Sequence, residues 1–394
     1  MNNIENDNAA EIIIEKVKHR FSELYDTEPS IFTSPGRINL IGEHTDYNQG
    51  LVLPAAIDKV IVLAISKRED AQINIFSESY QKLYAGTLEN LEPSGILWPD
   101  YILGVIVELQ KRGCELSGVD IVFDGNIPQG AGLSSSAALE CAAAFGINEI
   151  FDLKLSSLEI AKIGQAAENN FVGVQCGLMD QFASVFGKSD HLIKLDCESF
   201  EFNFIPFNAK NYKVVLFDTG VKHSLASSAY NERRSQCESG VELVQEHHPD
   251  VDSLRRVSQQ MLDDYVKGVD PVVYNRCAYV VKEIQRLQDA CEDLLKGDLE
   301  TFGKRMYETH EGLRDEYEVS CEELDYLVDR VKAHPEVIGA RMMGGGFGGC
   351  TINLIQSESV DRVVEETSNA YKRDMDRELK VYFVSIEDGT KRVL

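Results

Sequence analysis

The sequence predicts an α+β protein built as two lobes. Three observations carry that prediction. The chain has 394 residues, well beyond the roughly 150 expected of one domain. Short β-branched segments alternate with longer helix-spaced ones in both halves, a mixed pattern that neither an all-helical nor an all-strand fold produces. After Gly187 the order restarts with strands, which places a lobe boundary near residue 190 and divides the chain into 1–190 and 191–394.

Each element follows from its spacing. Residues 11–25 carry Ile13, Ile14, Val17, Phe21 and Leu24 at helical intervals with charges between them. Past Pro29 the texture changes, and residues 59–66 and 73–76 read as strands. A helix is expected at 100–111 and a strand at 119–123, followed by a Gly- and Ser-rich stretch at 125–136. The Ala-rich run 137–145 predicts a buried helix, and 158–170 a further one. In the second half, strands are expected at 191–195 and 213–217, then charged helices at 228–245, 276–296 and 299–317. A glycine-rich loop, 344–349, separates residues 337–342 from the strand-like 351–354. No repeat and no low-complexity linker interrupts this order.

Composition narrows the function. Lys and Arg number 39 against 65 Asp and Glu, a net charge of −26. Such a field repels nucleic acid and anionic membrane, while an anionic small ligand would need a local cluster of donors. The nine cysteines show no C-x-x-C and no zinc spacing with histidine, so they read as small core residues of a reduced chain. His223, His247 and His248 likewise show no ligand spacing. No secretory leader is recognisable, and no uncharged apolar run reaches the roughly 20 residues of a membrane span. A cytoplasmic protein is expected.

Four segments depart from core-and-surface patterning. SPGRINLIGEHTDYNQG (34–50) threads Arg37, Glu43, His44 and Asp46 through glycines, with Tyr47 and Asn48 following. Such a mix lines a cavity and can hydrogen-bond several sugar hydroxyls in defined directions; the plain alternative is a solvated turn with a chance ion pair. PQGAGLSSSAA (128–138) runs from a strand into a helix. Its glycines allow close backbone approach and its helix start offers free N–H groups to phosphate, although the Walker A lysine is missing. Otherwise it simply caps the Ala-rich helix. GGGFGGC (344–350) formally matches a dinucleotide fingerprint, but a strand rather than a helix follows, so that reading fails. Its glycines imply close approach to a ligand or to the other lobe. ENNFVGVQCGLMDQ (168–181) places Asp180 at a helix start, either as a charge favoured by the dipole or as a base in a cleft.

In this order and spacing the four segments resemble the galactokinases, sugar kinases of the GHMP family, over essentially residues 34–350. GRINLIGEHTDYN is similar to their signature almost letter for letter, whereas the other two motifs mark GHMP membership only. Met343 departs from the small polar residue more usual before the triple glycine. The resemblance implies a ribosomal-S5-domain-2-like N-terminal lobe and a ferredoxin-like C-terminal lobe with the active site between them. It implies transfer of the γ-phosphate of ATP to the C1 hydroxyl of α-D-galactose. Asp180 would be the catalytic carboxylate and Arg37 the cation beside the transferring phosphate. Ser136 and Glu168 would bind Mg2+, and Glu43, His44, Thr45, Asp46, Gly177 and Tyr230 the sugar. Gly130, Ala131, Gly132, Leu133, Ser134, Ser135 and Ser136 would hold the nucleotide phosphates, with Trp98 and Tyr101 near adenine and Ser77 touching the nucleotide. Galactose and Mg-ATP are the expected partners, with no nucleic acid or membrane, and a monomer is favoured. The rival readings are an N-acetylgalactosamine kinase and a non-catalytic galactose and ATP sensor.

Overall fold

The computed structural model describes residues 9–221 and 226–394, so His223 lies outside the described residues. Helix α1 (Ala9–Leu24) leads into strand β1 (Ser30–Asn39), the short β2 (Leu51–Val52) and the long β3 (Pro54–Lys67). Strands β4 (Gln72–Ser77) and β5 (Lys82–Thr87) form a hairpin, followed by helix α2 (Leu97–Lys111) and strand β6 (Val119–Gly125). Helices α3 (Ser135–Phe151), α4 (Ser157–Ala167) and α5 (Met179–Phe186) complete the first half. Strands β7 (His191–Asp196), β8 (Phe202–Pro206) and β9 (Tyr212–Asp218) open the second. Helices α6 (Ala226–Gln245), α7 (Gln259–Tyr265), α8 (Pro271–Lys296), α9 (Leu299–Asp315) and α10 (Glu322–Lys332) follow. Strands β10 (Val337–Met342) and β11 (Cys350–Gln356), helix α11 (Val360–Met375) and strands β12 (Lys380–Val384) and β13 (Lys391–Arg392) close the described chain.

The first half is built on a six-stranded sheet in the order β13-β1-β3-β6-β4-β5. Val17 and Phe21 of α1 cover one face by packing on Ile31, Val62, Ala64 and Val122. The Ala-rich α3 covers the other, lying across β1 and β3. Small side chains bring that helix close: a Cβ at Gly146 would stand 3.2 Å from the Phe32 ring. The second half carries a four-stranded antiparallel sheet in the order β10-β11-β9-β12. With α11 between β11 and β12, this is the ferredoxin-like arrangement.

Strand pairing crosses residue 190 in both directions. β7, from the second half, pairs with β2, and the C-terminal β13 adds to the edge of the first sheet beside β1. The apolar core is also continuous between the halves. Leu40, Ile41 and Leu51 share one cluster with Ile284, Leu287 and Ala290 of α8. That contact needs Gly42, where a Cβ would meet a Leu287 methyl at 2.7 Å.

A charged clamp completes the docking. Arg341 of β10 is fully buried. Its guanidinium donates to the carbonyls of Leu40 (2.7 Å), Met342 (2.5 Å) and Asn39, and to Glu43 Oε1 at 3.0 Å. The same Glu43 oxygen accepts the Gly344 N–H at 2.7 Å. Removing one partner of such a pair strands the other charge away from water. Arg341→Met is therefore expected to cost about 3–5 kcal/mol of stability by denaturant unfolding. Adding Glu43→Gln should recover part of that loss. Additive costs in the double variant would mean that the pair is not coupled.

Candidate active site

Residues 40–50 fold inward from the end of β1. Leu40, Ile41, Glu43, His44 and Thr45 are all buried. The loop is held from several sides. Gly42 N–H donates to the buried Glu283 Oε1 at 2.9 Å, and Asn48 Nδ2 to the His44 carbonyl at 2.9 Å. The Thr45 hydroxyl is shared between the carbonyls of Gly42 (2.9 Å) and Leu51 (2.5 Å). Thr45 thus faces into the loop it braces, and it is not among the residues that line the cavity. His44 sits in the left-handed region at φ 63°, a conformation that needs support from its surroundings. Its Nε2 is buried and finds no hydrogen-bond partner among the described residues.

Arg37 is aimed by a local irregularity. The β1–β3 register shifts between Pro35 and Arg37, and such bulges re-aim the side chain that follows. Arg37 Nε and Nη2 form a fork on Asp180, at 2.7 Å to Oδ1 and 2.9 Å to Oδ2. Nη1 donates to the Gly132 carbonyl at 2.5 Å. Asp180 enters from the first turn of α5 and also accepts the Ser134 hydroxyl at 2.5 Å. Arg37 is almost fully buried, whereas 26% of the Asp180 side chain stays exposed at the cavity.

That cavity has a volume of about 490 Å³ and is lined by Arg37, Glu43, His44, Asp46, Glu168, Gly177, Asp180, Tyr230 and the glycines 344–346, with residues 173–176, Met179 and Asn231 completing it. A larger open depression of about 610 Å³, beside Arg314, Glu318 and Met375, gathers none of the predicted residues. Gly177 has a steric reason: a Cβ there would lie 2.0 Å from Asp46 Oδ2. Burial, and then the charge of Asp180, pushes Asp46 up to about 7. The same two causes raise Glu168 to about 7. Burial lowers His44 to about 4, so its imidazole is neutral near pH 7. Tyr230 packs flat enough on the glycine loop that a Cβ at Gly345 would touch its ring at 3.3 Å.

The Gly/Ser loop meets this cavity from the other side. Ser134 is the N-cap of α3, yet its hydroxyl is committed to Asp180 and makes no cap bond. The first-turn N–H groups of α3 are left without a side-chain cap, the arrangement that receives phosphate oxygens. Gly132 faces Met343 and Gly344 across the gap, so glycine-rich loops from both halves confront each other. Farther out, the Trp98 ring stacks against Tyr80 at 6.1 Å, and Gln129 Nε2 donates to the Tyr80 hydroxyl at 3.0 Å. Tyr101 is partly buried on the same helix, and burial, then Glu168, pushes its phenol up. Ser77 is fully buried, accepts the Tyr80 N–H at 3.4 Å and stands apart from the cavity lining.

Ser136 lies within hydrogen-bonding reach of Glu168. Among the described residues no cluster of three or more His, Cys, Asp or Glu could hold a metal by itself. One hydroxyl beside one carboxylate nonetheless fits magnesium, which takes its remaining ligands from water and phosphate.

Several supporting residues have no counterpart in the predicted set. Gln181 Nε2 bridges Glu140 and Glu168, at 2.9 Å to each. Glu140 is fully buried, and burial followed by the charge of Glu168 raises it well above the carboxylate range. Tyr317 approaches His44 from the end of α9, with ring centroids 4.8 Å apart. Arg341 and Glu140 share one legible signal, a charge inside an otherwise apolar run.

Comparison with known proteins agrees with this geometry. Residues 19–67 match the galactokinase galactose-binding signature. Residues 100–188 match the N-terminal domain of GHMP kinases and 290–373 their C-terminal domain. The galactokinase of Thermotoga neapolitana is 43% identical over 361 residues, covering 91% of this chain and 99% of the relative. That of Clostridium acetobutylicum is 40% identical over 384 residues, covering 96% and 98%. Lactococcus lactis galactokinase, solved in complex with galactose, superposes with a TM-score of 0.92 at 32% identity over 97% of this chain and all of that one. The mevalonate kinase of Methanococcus jannaschii shares the fold alone, with a TM-score of 0.65 at 19% identity over 92% of this chain and 100% of that one.

The crowded carboxylates predict a pH effect on stability. Because the folded state raises Asp46 from its ordinary 3.8 to about 7, its favourable contribution is complete below the lower value and is lost as pH rises through the upper. Asp46→Asn is thus expected to raise the melting temperature at pH 8, by about 2–4 °C for each kcal/mol relieved, and to change it little near pH 4. An equal shift at both pH values would contradict the assignment.

Proposed function

The chain belongs to the galactokinase family, and on that premise we propose that it transfers the γ-phosphoryl group of ATP to the C1 hydroxyl of α-D-galactose, giving galactose 1-phosphate and ADP. The observation that carries this reading is the Arg37–Asp180 fork at the meeting point of the polar cavity and the Gly/Ser loop. Phosphoryl transfer asks a protein mostly for positioning and charge stabilisation, and the fork supplies both at one place.

Galactose occupies the cavity, with Glu43, His44, Asp46 and Tyr230 on its hydroxyls and its C1 hydroxyl towards Asp180. Asp180 orients that hydroxyl and receives its proton as the bond to phosphorus forms. Arg37 holds the carboxylate in place and offsets negative charge on the moving phosphoryl group. The nucleotide phosphates follow residues 130–136 and the free N–H groups of α3, with Trp98 and Tyr101 beside the base. Ser136 and Glu168 would hold magnesium, which would neutralise charge on the phosphate oxygens. Because Asp46 and Glu168 both rise to about 7, cation and sugar binding draw them towards their charged forms. We place this chemistry in the cytoplasm, acting on dissolved small molecules; among the described residues no helix is long and apolar enough to cross a membrane.

The direct test is ADP release with Mg-ATP and galactose, glucose or N-acetylgalactosamine. Galactose is expected to be the substrate. Glucose should be rejected by about 10⁴-fold in kcat/KM, since an epimer leaves buried polar groups unpaired. Preferred turnover of N-acetylgalactosamine would move the substrate, and sugar binding with no ADP would point to a sensor. Asp180→Asn should lower kcat by about 10²–10⁴-fold while leaving galactose binding measurable. Arg37→Lys should stay well below wild type, since a point ammonium cannot reproduce the fork; full activity in that variant would contradict the bidentate role.

A further inference from the structure

His44 is connected to the protein interior by a continuous line of side-chain hydrogen bonds. Its Nδ1 lies 2.8 Å from the Tyr47 hydroxyl. Tyr47 lies 2.7 Å, oxygen to oxygen, from the Tyr317 hydroxyl. Tyr317 in turn lies 3.3 Å from Cys237 Sγ. Tyr317 and Cys237 are fully buried and His44 is 4% exposed, while Tyr47 between them is half-buried. The other ring nitrogen, Nε2, is buried, has no hydrogen-bond partner among the described residues, and belongs to a residue that lines the sugar cavity.

Each hydroxyl carries one proton, so the line can run in only two ways. With protons directed towards the histidine, Cys237 S–H donates to Tyr317, Tyr317 to Tyr47, and Tyr47 to Nδ1; the ring then carries its proton on Nε2. With protons directed away, Nδ1–H donates to Tyr47 and the line runs to the Cys237 sulfur, which Cys277 and Asn48 also approach, leaving Nε2 bare. A neutral imidazole nitrogen accepts better than a phenol oxygen, and a thiol is a poor acceptor and a weak donor. The first direction puts the phenol proton on the best acceptor and asks of sulfur only a weak donation. The Gly345 backbone also lies close to the ring and favours a proton on it.

We propose that Tyr47 and Tyr317, backed by Cys237, are positioning residues that hold His44 as the tautomer protonated on Nε2, so that it enters the cavity as a hydrogen-bond donor to a sugar oxygen. This rests on the sugar cavity assigned above. The partner of His44 is then an oxygen lone pair rather than a hydroxyl proton. The carboxylates of Asp46 and Glu43 accept from sugar hydroxyls, and His44 supplies the complementary polarity.

Histidine-nitrogen NMR of the labelled, ligand-free protein tests the claim without reference to turnover, with His44→Gln identifying the His44 signals. Wild type is expected to show Nε2 protonated and Nδ1 bare, and Tyr47→Phe to redistribute the proton between the two. Wild-type Nδ1 protonation, or a pattern unchanged in Tyr47→Phe, would overturn it. In turnover, Tyr47→Phe should raise KM for galactose about three- to tenfold, the effect of one hydrogen bond, with kcat and KM for ATP nearly unchanged. Tyr317→Phe should act in the same direction. In the His44→Gln background, whose amide donates without help, Tyr47→Phe should add little; a full additional loss there would mean that the tyrosine is merely structural. If wild type fails to turn over galactose, the function proposed above falls, while the NMR result still decides the tautomer.

Discussion

The active site depends on one buried ion pair, Glu43 with Arg341. Two charges removed from water are costly unless their geometry is complete. Here Arg341 meets three backbone carbonyls besides the carboxylate, and Glu43 also takes the Gly344 N–H. The pair fastens the loop after β1 to the glycine loop before β11. Two walls of the cavity meet at that junction: Gly344, which lines it, is held by Glu43, and Glu43 precedes His44, whose backbone is left-handed. Gly346 shows how tight the seat is: a Cβ there would lie 2.2 Å from the Val319 carbonyl oxygen.

A second constraint is charge. A chain of net −26 gathers four carboxylates, Glu43, Asp46, Glu168 and Asp180, around one cavity, where they repel one another. The structure resolves the conflict locally. Arg341 offsets Glu43 and Arg37 offsets Asp180. Asp46 and Glu168 have no such cation among the described residues and instead rise to about 7, with burial as the larger cause. The unliganded protein thus carries a cost at neutral pH that ligands relieve. The N–H groups at the start of α3 are left without a side-chain cap because Ser134 is diverted to Asp180, and under the proposed function these neutral donors take the phosphate oxygens.

Much of this was legible in the sequence, and the remainder fails for physical reasons. The Ala-rich segment, the strand after the triple glycine and the placement of Asp180 at a helix start all follow from local periodicity, and the structure contains each of them. Arg37, Glu43, His44, Asp46, Glu168, Gly177, Asp180, Tyr230 and the glycines 344–346 line one cavity, whereas residues 130–136, Trp98, Tyr101, Ser77 and Thr45 are not in its lining. Arg341 shows in the sequence only as a charge inside an apolar run, and Tyr317 not at all; their partners lie about 300 and 270 residues away along the chain. Thr45 sits within the motif, yet its hydroxyl turns inward to two carbonyls, and no local pattern reveals which way a loop side chain points. The strand β13, two residues at the far end of the chain, pairs with β1, and so short a segment shows no alternation to read.

The central claim is that the Arg37–Asp180 fork is the place where a C1 hydroxyl meets a phosphoryl group. Phosphorus and proton NMR of the product formed from galactose and Mg-ATP tests it most directly. The account predicts a single phosphate coupled to the anomeric proton of the α-sugar. Phosphate on any other hydroxyl, or free inorganic phosphate in its place, would contradict it.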